Sequence, residues 1–146
     1  MNASQQSHRP GLPGFIAAAL MFLAAYPGVA SADQVKVTLS GDQEVPAVKT
    51  AASGSGTITI NADKSVSGSV TTTGVAGTMA HIHNGAAGAN GPVIIPLTKS
   101  GDGGWSVPAG AKLTDAQYAA YKAGDLYVNV HSAANKGGEI RGQLKP

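Results

Sequence analysis

Met79-Ala80-His81-Ile82-His83-Asn84 is the stretch on which the reading of this 146-residue chain turns, and Tyr127-Val128-Asn129-Val130-His131 answers it further along. In each, apolar or β-branched residues alternate with polar ones, the period of a strand with one face in a core. Side chains at i, i+2 and i+4 of a strand share a face. Met79, His81 and His83 therefore project together, away from Ala80 and Ile82. In the second stretch Val128 and Val130 share one face, and Tyr127, Asn129 and His131 share the other. Two imidazoles and a thioether in a row, with a third imidazole available from another strand, predict a soft metal site.

Working outward, residues 35–39 (Val-Lys-Val-Thr-Leu) alternate and predict a first strand. Residues 40–42 read as a turn, and residues 43–46 as an extended edge segment, since Pro46 cannot donate to a ladder. Residues 50–55 are small and glycine-containing, a loop or bulge before a strand over 57–60. Asn61-Ala62-Asp63-Lys64 closes a hairpin onto a partner strand over 65–73. After the His81 strand, residues 84–91 hold three glycines, three alanines and two asparagines, a loop composition. Residues 92–97 predict a buried strand bounded by prolines, 99–104 a turn, and 105–107 a short strand. Residues 125–131 and 139–144 complete the set.

One helix is expected. Thr114 caps it, Gln117 completes a capping box, and Leu113 can staple onto Tyr118. Asp115 suits the first turn and Lys122 the last, and Gly124 supplies the C′ residue. Seven or eight short strands with one short helix predict an all-β fold, an antiparallel Greek-key β-sandwich.

Residues 1–32 read as a cleavable signal peptide. His8 and Arg9 open it, an apolar run follows from Phe15, and Ala30-Ser31-Ala32 fits the small-x-small cleavage pattern. That run is short for a bilayer span and Pro27-Gly28 breaks it. Residues 33–146 then form one domain, exported to the periplasm or secreted, with no membrane segment. Eight lysines and Arg141 balance eight acids in that part, and no basic patch or aromatic ladder is present, so no nucleic-acid partner is expected. The chain has no cysteine. This removes disulfides, thiol nucleophiles and zinc or copper sites that need a thiolate.

Five blocks carry a resemblance. Residues 39–46 (Leu-Ser-Gly-Asp-Gln-Glu-Val-Pro), Ala80-His81-Ile82-His83, Gly91-Pro92-Val93, residues 126–132 (Leu-Tyr-Val-Asn-Val-His-Ser) and residues 137–142 (Gly-Gly-Glu-Ile-Arg-Gly) together resemble the chordin (CHRD) domain family, in its order. The resemblance implies an exported β-sandwich module, which occurs as repeats in the animal developmental antagonist chordin and as single domains in bacterial secreted proteins. A looser likeness links the His-x-His strand and a distant histidine to the copper half of Cu,Zn superoxide dismutases, which are also Greek-key sandwiches. This chain lacks a bridging histidine, a zinc-loop set and a disulfide, which weakens any expectation of dismutase activity.

Past residue 32 only three histidines and one methionine remain, and all four fall in the two strand motifs. One buried histidine is more often a packed, hydrogen-bonded core residue; this concentration favours a metal. His81, His83 and His131 are the expected ligands, with Met79 a candidate fourth. Copper is the expected ion, because imidazoles with a thioether suit it and it leads the divalent affinity order. Zinc is the alternative, ranked lower because no carboxylate adjoins the histidines in sequence to act as a base.

The competing function is a metal-free module that binds another exported protein or oligomerises through exposed strands, with its three imidazoles too far apart to share an ion. A dismutase-like redox enzyme ranks third, and no other catalytic apparatus is expected. Glu44, Glu139 and Arg141 are expected to pin strands as ion pairs. Asn129 can orient an imidazole, whereas Asn84 suits a turn equally well. Trp105 and the tyrosines are expected in the core or at its rim. Ser132 points away from His131, so no hydrolase triad is expected.

Overall fold

The computed structural model describes residues 31–146; the expected signal segment lies outside them but for its last two residues. The chain forms β1 (Ala32–Ser40), β2 (Ser53–Asn61), β3 (Val66–Thr73), β4 (Gly77–Asn84), β5 (Val93–Pro96), β6 (Thr98–Lys99), β7 (Gly104–Ser106), helix α1 (Asp115–Lys122), β8 (Leu126–Ser132) and β9 (Ile140–Leu144). A 3-10 turn, Gly41–Gln43, falls on the turn expected at 40–42 and takes in Gln43, the first residue of the segment expected to be extended. All strand pairs are antiparallel, in the order β5-β4-β8-β9-β1-β2-β3-β7-β6.

An all-β antiparallel fold with one short helix is therefore what the alternation produces. The ladder differs from the expected sandwich, whether of immunoglobulin or dismutase type. It is one nine-stranded sheet rolled into a nearly closed barrel. Leu97 joins the two edge strands, β5 and β6, and its amide donates to Ala80 O at 2.9 Å. Sequence alternation specifies which side of each strand is apolar, but not whether the ladder breaks into two sheets.

The barrel interior holds Val35, Val37, Leu39, Ile58, Ile60, Val70, Ala80, Ile82, Trp105, Val128, Val130, Ile140 and Leu144, all buried. β5 is an edge strand with Val93 exposed, which corrects the expectation that it is buried. The helix carries the expected capping box: Thr114 Oγ1 accepts from Gln117 N at 3.2 Å, and Gln117 Oε1 accepts from Thr114 N at 2.9 Å. Its Tyr121 is fully buried against the core.

β8 is the exception to the two-sided rule. All seven of its residues are buried, including the polar Asn129, His131 and Ser132. One side of β8 faces the barrel interior. The other side is roofed by loops, and the histidines lie on that side.

A candidate metal centre on the outer face of the sheet

β4 and β8 run antiparallel with Met79 opposite His131, His81 opposite Asn129, and His83 opposite Tyr127. Ala80, Ile82, Val128 and Val130 take the interior face. The partners left on the outer face form a patch of imidazole, phenol and amide. β9 extends it, because Arg141 stands opposite Asn129 and Gln143 opposite Tyr127.

Two loops cover the patch. Residues 85–92 are held by Arg141 Nη2 donating to Ala86 O at 2.9 Å and by Gln143 Nε2 donating to Gly85 O at 2.8 Å. Gly91 N donates to Tyr127 Oη at 3.2 Å. Asn90 Nδ2 ties this loop to Val45 O, at 2.7 Å, in the segment that follows β1. Residues 133–139 close the other side, where His131 Nδ1 meets Lys136 O at 2.9 Å.

The three histidines converge. One ring nitrogen from each of His81, His83 and His131 lies within 4.8 Å of the others, and the His81 Nδ1 to His131 Nε2 distance is 3.0 Å. Four-coordinate imidazole sites place each nitrogen about 2.0–2.1 Å from the ion, so the rings must draw closer than this to share one ion. Two tautomers are fixed by backbone carbonyls. His83 donates Nδ1–H to Gly91 O at 2.9 Å and His131 donates Nδ1–H to Lys136 O, leaving a lone pair on each Nε2, the form a metal requires; that of His131 accepts from His81 Nδ1–H. His83 Nε2 is buried with no hydrogen-bond partner, as a ligand nitrogen awaiting an ion would be. A metal ion fits this donor set.

The electrostatics agree. Burial, with the charge repulsion of His131 and His83 added, holds His81 below its usual range. Burial chiefly, with His131 and Arg141, does the same for His83 against the favourable Gly91 carbonyl. Neutral rings at neutral pH bind cations without first losing a proton to solvent.

Met79 shares the outer face and stands opposite His131, but it is 51% exposed. It sits at the solvent rim, whereas His83 and His131 are buried. The strand-pinning ion pairs expected of Glu44, Glu139 and Arg141 do not form. The salt bridges among the described residues are Lys64–Asp115 and Lys122–Asp33. Arg141 instead lays its guanidinium 3.4 Å from the Tyr127 ring centroid, and Tyr127 stacks on His83 at 4.7 Å and 4°. Glu139 accepts from Thr50 Oγ1 at 2.8 Å. Glu44 lies buried near Asn129, with Oε1 lacking a well-formed hydrogen bond; burial, offset in part by Arg141 and Asn129, raises its carboxyl to about 7.

The roles of Tyr127 and Glu44 here were not read from sequence. Tyr127 carried a signal, because it alternates with valines on the same face as His131. Glu44 carried none, since only the loop geometry brings it to this layer.

The CHRD domain family model matches residues 35–144. No curated protein and no solved structure matches the chain.

Proposed function

The chain belongs to the CHRD domain family, and on that premise we propose that it is an exported copper-binding module serving copper handling, tolerance or delivery. The observation that carries this reading is the convergence of three imidazoles from β4 and β8 within 4.8 Å. Copper is preferred to zinc because it leads the divalent order at nitrogen donors and because Met79, at the rim, offers a thioether to Cu(I). The family is one of extracellular modules, which agrees with a periplasmic or secreted address.

The metal-free interaction module required the imidazoles to lie apart, and their convergence counts against it. Among the described residues this is the one histidine or carboxylate group with metal-holding geometry. We therefore rank dismutase-like turnover below binding, because the sequence lacks a bridging histidine and a zinc-loop set.

Titration of residues 33–146 with Cu(II), and with Cu(I) under reductant, is expected to give one ion per chain. The His81→Ala/His83→Ala double variant is expected to lose it. An unchanged stoichiometry in that variant would overturn the assignment.

A further inference from the structure

Asn129 lies at the centre of the histidine array, opposite His81 and two residues before His131, and is 2% exposed. Its amide has a fixed sense. Nδ2 approaches Gly137 O at 3.5 Å and the Glu44 carboxyl. Both are acceptors, so Oδ1 turns the other way, into the roofed face that Asn129 shares with His81 and His131. Because His83 spends its Nδ1–H on Gly91 O, the nitrogen it presents there is the bare Nε2. Oδ1 and Nε2 are both buried and both without a hydrogen-bond partner.

Two buried acceptors on the same roofed face leave two desolvated lone pairs. A cation between them satisfies both.

We propose that Asn129 Oδ1 is the fourth ligand of a divalent ion held by His81, His83 and His131, giving a donor set of three nitrogens and one oxygen. The assignment rests on the metal reading above and adds to it a ligand from the floor of the site. A neutral amide oxygen is a hard donor, suited to Cu(II) or Zn(II) rather than Cu(I). The reduced ion would instead engage Met79 at the rim. Glu44 polarises the amide from its nitrogen end, which increases electron density on Oδ1. Gly138 makes the arrangement possible. It has φ +127°, and a Cβ there would fall on Glu44 Oε1 and Asn129 Nδ2.

The test measures Cu(II) and Co(II) affinity by chelator competition, with electron paramagnetic resonance of the copper form and visible absorption of the cobalt form. Asn129→Ala is expected to weaken both ions on the order of 10–100-fold and to change both spectra. Asn129→Asp, which keeps the oxygen and adds charge, is expected to bind tighter, and it decides the matter if the alanine variant does not fold. Met79→Leu is expected to leave the Cu(II) spectrum unchanged.

An alanine variant that matches the wild type in affinity and spectrum overturns the Asn129 assignment alone. So does a Cu(II) spectrum altered by Met79→Leu and not by the Asn129 variants. A wild-type protein that takes up neither ion overturns the metal reading itself.

Discussion

Single residues on the outer face of β4 and β8 have their ionisation set by burial more than by bonding, and the signs differ. Glu44 titrates near 7 in the fold, with burial the leading cause. Because its folded value lies above the unfolded value of about 4.3, the carboxyl costs no stability below that pH, and the cost grows until about pH 7. Glu44→Gln, melted in chelator, is therefore expected to raise the melting temperature over wild type at pH 8, with the gain vanishing near pH 4. A gain independent of pH would contradict the burial argument. His81 and His83 act in the opposite direction. Burial lowers both, so their contribution is complete above about 6.5 and is lost as pH falls through the lowered folded values. Metal affinity should fall over the same acid range, because protons compete for the same lone pairs. A copper affinity that stays flat as the pH falls through the folded imidazole values, followed in the metal-free protein, would exclude imidazole ligation.

Whole elements separate stability from function by face. β4 gives Ile82, 1% exposed, to the barrel core and His83 to the roofed outer layer. Ile82→Ala should cost about 2–5 kcal/mol in urea unfolding, from lost transfer energy and a residual cavity. Its histidines should still bind metal at temperatures where the variant is folded. The helix gives a second test at this scale. Thr114→Ala removes the cap seen in the structure and should cost about 1 kcal/mol, with no effect on metal uptake by the three histidines. The capping box was legible from Thr114 and Gln117 because it is a short-range device within one turn. Edge strand β6 was not legible: its two residues, Thr98 and Lys99, have no period of their own and exist only because β7 pairs with them.

For the whole molecule, a site built from two strands and three loops ties metal occupancy to folding. An ion bound only by the native state stabilises it by about 2.7 kcal/mol at 100 times the dissociation constant. Copper at that excess should raise the melting temperature of the wild type but not of a His131→Ala variant. An equal rise in both would mean that the ion binds elsewhere. Alternation in the sequence determined that the chain is β-rich, which side of β4 and β8 is apolar, and that the three histidines share a chemical character, since a strand's period of two is local and independent of its neighbours. Only the tertiary structure decided that the ladder runs as one sheet toward a closed barrel, that Met79 stays at the rim, and that Glu44 lies buried beside Asn129. Those outcomes depend on register, on the loops that roof β8 and on the removal of water from polar groups, which arise between segments far apart in the chain.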